Sequence, residues 1–95
     1  MRLLWTGPAL SDLRALSADI AKDSERAANA MVARIVDRAE RQLSRLPESG
    51  GAGRVVKTRE LVVSGTPYVL SYRIVADTIH ILRIFHSARR WPAEH

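Results

Sequence analysis

Arg59, Arg73, Arg83, His86, Arg89, Arg90 and Trp91 are the residues of this chain whose types and spacing could do chemistry. A guanidinium group holds a phosphate or a carboxylate in a rigid fork of donors. A histidine at the end of a basic strand, as His86 is placed, is a candidate for proton transfer. Trp91 is a candidate binding anchor, or else a cap on the core together with Trp5. Arg59, Arg73 and Arg83 alternate with apolar neighbours, so they could share one face of a sheet and form a three-arginine patch. The plainer alternative pairs Arg59 or Arg73 with Glu60 or Asp77 on a solvated edge. The chain has no Cys, so thiolate chemistry and a disulfide framework are excluded. No metal-ligand pattern and no cofactor motif is expected.

The charge is unevenly placed. Residues 1–40 carry six basic and six acidic side chains, whereas residues 41–95 carry nine basic and four acidic. The whole net charge of +5 therefore lies in the second part, which is the part that meets something negative. Thirteen of the fifteen basic residues are Arg, a choice suited to phosphate or carboxylate recognition, although GC-rich coding also favours Arg.

The elements that position these residues follow from periodicity. Ninety-five residues make a single domain, 1–95, large enough for one modest core. Arg2–Trp5 is a short candidate strand. Gly7-Pro8 starts a helix in which Ala9, Leu13, Leu16 and Ile20 form one apolar stripe. Asp23-Ser24-Glu25 breaks it and caps a second helix. There Ala28, Met31, Val32, Ile35, Ala39, Leu43 and Leu46 keep the helical period. Arg34, Arg38, Arg41 and Arg45 make a basic stripe on the second helix, either a solvated face partnered by Asp37 and Glu40 or a docking surface for an acidic segment. Residues 47–53 read as a loop.

Three strands follow, turned at Gly65-Thr66-Pro67 and at Ala76-Asp77. Tyr68, Leu70, Tyr72 and Ile74 share one face of the middle strand. Strict alternation in the last strand puts His80, Leu82, Ile84 and His86 together on the core face and Arg83 opposite. Helices first and strands after give an α+β fold: a short N-terminal strand and an antiparallel helical hairpin packed on an antiparallel β-meander. No apolar run reaches the length of a membrane span. Asp12 and Arg14 interrupt any signal-peptide core, so a cytoplasmic protein without membrane contact is expected.

Several segments, in this order, resemble the RelE/ParE toxins of bacterial type II toxin–antitoxin systems. They are Trp5-Thr6-Gly7-Pro8-Ala9-Leu10-Ser11-Asp12-Leu13, Leu46-Pro47 leading to Gly53-Arg54-Val55, and Thr58-Arg59-Glu60-Leu61-Val62-Val63. Thr66-Pro67-Tyr68-Val69-Leu70-Ser71-Tyr72-Arg73, Ile81-Leu82-Arg83-Ile84-Phe85-His86 and Trp91-Pro92 complete the set. The resemblance spans nearly the whole chain. It implies a growth-inhibiting toxin, of a kind associated with plasmid stabilisation, that is neutralised by a cognate antitoxin in a hetero-oligomer.

The superfamily has two branches, one cutting mRNA on the ribosome and one inhibiting DNA gyrase. RNA cleavage needs activation of a 2′-hydroxyl, stabilisation of the phosphate and protonation of the leaving oxygen. RelE-like enzymes place an Arg just after the first turn of the meander, where this chain has Val69. The ParE-like reading is therefore preferred, with no catalysis. Arg59, Arg73, Arg83, His86, Arg89, Arg90 and Trp91 would contact gyrase, and Arg34, Arg38, Arg41 and Arg45 would contact the antitoxin. The alternative is a ribosome-dependent mRNA endonuclease using Arg59, Arg83, His86 and Arg89. A plain nucleic-acid-binding module fits less well, because no aromatic platform is interleaved with the basic residues.

Overall fold

The computed structural model describes residues 1–88. Strand β1 (Arg2–Trp5) runs directly into helix α1 (Gly7–Ala21). Thr6 caps that helix. Its hydroxyl accepts from the Ala9 amide at 3.4 Å and donates to the Ile81 carbonyl at 2.7 Å. One side chain thus starts the helix and ties it to the last strand. Ser24 caps α2 (Glu25–Arg38) in the same way, accepting from the Ala27 amide at 3.1 Å. The break between the helices falls where the sequence puts it.

Helical winding continues past α2 through a π turn, Ala39–Leu43, as far as Arg45. Ile35, Ala39 and Leu43 are fully buried at consecutive steps of four. Steps of four overshoot a 3.6-residue turn. The wider i→i+5 turn takes up the overshoot and keeps all three residues against the sheet. The apolar stripe was expected to reach Leu46. It ends at Leu43 instead, because Leu46 lies beyond the last helical residue and is 59% exposed.

The sheet has five strands in the order β1-β5-β4-β3-β2, with β2 at Gly51–Ala52, β3 at Arg59–Val62, β4 at Tyr68–Val75 and β5 at Thr78–His86. Strands β3, β4 and β5 form the expected antiparallel meander. β1 lies parallel to β5, which makes the sheet mixed. Two residues of the expected 47–53 loop pair with β3 as the short edge strand β2. Both helices pack on one face of the sheet. Ala9, Ile35, Ala39 and Leu43 meet Leu61, Leu70, Tyr72, Ile79, Ile81 and Ile84 there.

Strict alternation fails in β5. Ser71 faces Arg83 and Tyr72 faces Ile81, so Leu82 is an extra residue with no partner opposite. A bulge of one residue inverts the phase of a strand. Ile79 and Ile81 are core residues before it, and Ile84 is one after it. His80 and Leu82 were expected on the core face, and the bulge corrects both. His80 lies opposite Arg73 on the open face, and Leu82 is only partly buried. Phe85 lies opposite Val69 and is buried on the open side. The turns follow the sequence, with Gly65 and Ala76 at φ of 77° and 56°. Gly65 takes up that conformation without strain, whereas Ala76 holds it with a side chain.

Tyr72 joins the sheet to the chain that leaves the helices. Its side chain is fully buried. The phenol donates to the Pro47 carbonyl at 2.8 Å and accepts from the Gly50 amide at 2.9 Å. Burial pushes the phenol's pKa up from its ordinary value. Gly50 has no room for a side chain, because a Cβ there would lie 2.6 Å from the Tyr72 hydroxyl. Tyr72→Phe keeps the packing and leaves that amide and carbonyl without partners. Chemical denaturation should therefore show a loss of about 1–3 kcal/mol, the cost of unsatisfied buried polar groups, and an unchanged midpoint would contradict this account.

Candidate functional site

The sheet face away from the helices is the first candidate surface. Its apolar centre is Val62, Val69 and Phe85, which stand side by side on β3, β4 and β5. Arg54 reaches across from the loop before β3. Its guanidinium sits 4.1 Å from the centroid of the Phe85 ring, a stacked cation–π contact. The same guanidinium holds the Glu60 carboxylate through two bonds of 2.8 Å and 3.1 Å, and the Arg54 amide adds a third at 2.8 Å. Ser71, buried at the centre of β4, lies between Glu60 and Arg83 in register. The loop that supplies Arg54 also exposes Val55 and Val56.

Arg83 is anchored at the rim of this face. Asp12 of α1 accepts its Nε at 2.7 Å and a terminal nitrogen at 2.9 Å. One of those carboxylate oxygens also accepts the Ile84 amide at 2.9 Å. The hydrogen bonds to Asp12 raise the guanidinium's pKa further above its ordinary value. β1 pairs with β5 only as far as Ile81, so the backbone beyond it has no strand on that side. Asp12 supplies the missing acceptor and fastens α1 to the strand just after the bulge.

The expected three-arginine patch does not form. Arg73 and Arg83 belong to the open face, opposite His80 and Ser71. Arg59 stands opposite Tyr72, on the helix side. Its guanidinium donates to the carbonyls of Glu48 and Gly50 at 3.2 Å and 3.1 Å and lies 3.9 Å from the Glu48 carboxylate. The alternative pairings of Arg59 with Glu60 or Arg73 with Asp77 are absent among the described residues. Arg73 is exposed on β4. His86 is also on the helix side, opposite Tyr68, whose ring it meets edge-on at 5.4 Å. Its Nδ1 accepts the Ala88 amide at 3.1 Å, so the neutral ring carries its proton on Nε2. Arg89, Arg90 and Trp91 lie outside the described residues.

The basic stripe of the second helix is a second surface. Arg34 donates to the Ser64 carbonyl at 3.0 Å and Arg38 to the Ser64 hydroxyl at 2.8 Å. A side chain at Gly65 would collide with the Arg34 guanidinium. These two arginines therefore lean on the β3–β4 turn. Arg41 pairs with Asp37 at 2.9 Å, as the helical spacing suggests. Arg45 is exposed.

Arg54 and Asp12 are the residues that sequence patterning missed. Arg54 sits in an aperiodic loop, and Asp12 is separated from Arg83 by 71 positions. Neither has a local signal. No group of metal-ligating side chains is found among the described residues, nor a helix long and apolar enough to cross a membrane.

A family model of the ParE toxin of the type II toxin–antitoxin system parDE matches residues 3–91. The chain belongs to the ParE toxin family. It is 43% identical over 91 residues to Y4kP of Sinorhizobium fredii, named as a toxin, covering 96% of this chain and 93% of that protein. It is 39% identical over 88 residues to Toxin RelE2 of Caulobacter vibrioides, covering 93% of this chain and 97% of that one. A solved chain of the chromosomal ParDE TA system from P. aeruginosa superposes with a TM-score of 0.80 at 27% identity, over 90% of this chain and 95% of that one. Within this ParE-family toxin, the Arg54–Glu60 pair holds the loop across the open face.

Hydrogen bonds from Arg54 hold the Glu60 carboxyl below its ordinary value of 4.5, against the opposing effect of burial. A lowered folded-state pKa gives stability that is complete above the unfolded value and is lost as pH falls through the folded one. Thermal melts taken from neutral pH down through the carboxylate range should show the wild type losing stability below about pH 4.5. Glu60→Gln should lose less over that interval, and a profile parallel to the wild type's would contradict the assignment.

Proposed function

We propose that this toxin acts by binding rather than by cutting, engaging DNA gyrase and blocking turnover of its cleaved-DNA intermediate in the cytoplasm. The supporting observation is the separation of its basic residues. Acid–base cleavage of RNA needs a proton-transfer group and a phosphate-binding cation around one bond. Here His86 and Arg59 stand on the helix side of the sheet, and Arg83 and Arg73 on the other. Arg83 is held by Asp12 and Arg59 by backbone carbonyls. The position that an RNA-cleaving relative would fill with a cation is the apolar Val69.

What remains on the open face is an apolar centre with cations at its rim, the composition of a protein-binding surface. Arg73 and the exposed Val62 would make direct contacts. Arg83 would add to them at the rim, and Arg89, Arg90 and Trp91 remain proposed contacts on their residue types alone. As a member of a toxin–antitoxin family, the chain has an antitoxin as its regulatory partner. Ribosome-dependent cleavage of mRNA is the second reading, and it draws on the RelE name of the Caulobacter relative. It would require Arg59, Arg83, His86 and Arg89 to act on one phosphate.

Purified toxin added to a gyrase supercoiling reaction should stop supercoiling and accumulate cleaved plasmid, while ribosome-bound mRNA stays intact. Arg73→Glu should raise the inhibitory concentration by about tenfold, as loss of a rim charge does. Undiminished supercoiling at excess toxin, with cut message in the ribosome assay, would reverse the assignment.

A further inference from the structure

The loop that carries Arg54 ends in a turn built from the wrong residues for a turn. Four residues, Val55 to Thr58, are closed by the Thr58 amide donating to the Val55 carbonyl at 3.1 Å. Lys57 alone of the four has positive φ, 68°, which is the backbone pattern of a type II turn. Such a turn favours Pro at its second position and Gly at its third. This chain has Val56 and Lys57 there. A lysine in the left-handed region is strained, whereas a glycine is not.

The tip is nevertheless held in one shape. The Thr58 hydroxyl donates to the same Val55 carbonyl at 2.6 Å, and the Gly53 amide donates to the Thr58 carbonyl at 2.9 Å. At the stem, the bonds from Arg54 to Glu60 and its stacking on Phe85 fasten the loop to the open face. On this support Val55 is 43% exposed. Val56 is 82% exposed, more than any other large apolar side chain among the described residues. Lys57 is exposed beside it.

Folding alone does not account for this tip. Proline and glycine would close the turn with less strain and put less aliphatic surface in water. A scattered apolar residue on a surface needs no explanation. One held out by an ordered, strained turn does, because such strain collects where function uses the geometry. A side chain that is already ordered also loses little freedom on binding. The chemistry of the tip selects its partner. Nucleic acid would meet two valines with no ring on which a base could stack. A protein surface can offer an apolar pocket for Val56 and a carboxylate for the Lys57 ammonium. The open face leads up to the tip, since Phe85, which Arg54 covers, stands in one cross-strand row with Val69 and Val62.

We infer that the tip of this loop, Val56 flanked by Lys57, is an anchor that enters an apolar pocket with an acidic edge on the protein target. The inference rests on the target-binding reading proposed above and adds to the sheet face the loop that grips the target.

The test uses purified variants in the gyrase supercoiling reaction, with their melts followed by circular dichroism. Val56→Ser should raise the inhibitory concentration by about tenfold, as loss of a binding anchor does, while Val56→Ile keeps the wild-type potency. Lys57→Gly should melt at or above the wild-type temperature, because glycine relieves the strain, yet inhibit about fivefold less well. Stability held or raised while potency falls is a result that a merely structural turn does not give. Wild-type potency in Val56→Ser would overturn the anchor and leave the gyrase reading standing. The same potency with weakened binding of the cognate antitoxin would overturn it in favour of an antitoxin contact. A fall in both melting temperature and potency in Lys57→Gly would overturn it in favour of a structural turn. A wild-type toxin without effect on supercoiling would overturn the gyrase reading and the anchor together.

Discussion

One extra residue in the last strand, Leu82, and the carboxylate that fixes its consequence govern this structure. A bulge in an edge region is easily lost to a slipped register unless something holds it. Asp12 does so from α1. It takes the Ile84 amide and the Arg83 guanidinium together, immediately after the bulge. The same short stretch of helix begins at Thr6, whose hydroxyl is bonded to Ile81 just before the bulge. The start of α1 thus brackets Leu82 from both sides. Because β1 stops pairing at Ile81, the helix rather than a strand completes the edge.

Everything placed after Leu82 depends on that bracket. Ile84 reaches the core beside Leu70, Phe85 reaches Arg54 on the open face, and His86 reaches Tyr68. If Leu82 were paired in regular alternation instead of bulged, Phe85 and His86 would exchange faces, and so would Arg83 and Ile84. The separation of His86 from Arg83 follows from this register. A fold can be shared between toxins that cut and toxins that bind, because the choice lies in which side chains the sheet brings together. In this chain the sheet brings together an apolar centre and a cationic rim.

Much of the architecture is legible in the residues. Ser24, Pro8 and the stripes of α1 and α2 mark both helices and their break, and Gly65 and Ala76-Asp77 mark both turns of the meander. The alternation in β4 is correct throughout its length. The failures have physical causes. Period-two reasoning cannot register an inserted residue, so strict alternation puts His80 on the wrong face and Leu82 in a core it does not join; the grouping of Arg59 with Arg73 fails separately, because the β3–β4 register sets Arg59 opposite Tyr72. Leu46 continues the helical spacing on paper, but winding stops at Arg45 before it can turn inward. Asp12 and Arg54 act through contacts distant in sequence, which no local pattern reveals. The stripe of Arg34, Arg38, Arg41 and Arg45 was visible as spacing, whereas the seating of Arg34 and Arg38 on Ser64 required the fold.

The register of β5 is best tested by nuclear Overhauser contacts to the Phe85 and His86 rings in the isolated toxin. The account predicts that Phe85 contacts the Val69 methyls and the Arg54 side chain, and that His86 contacts Tyr68. Contacts from Phe85 to Leu70, Ile35 or Ala39, with His86 on the open face, would show a strand without the bulge and would contradict it.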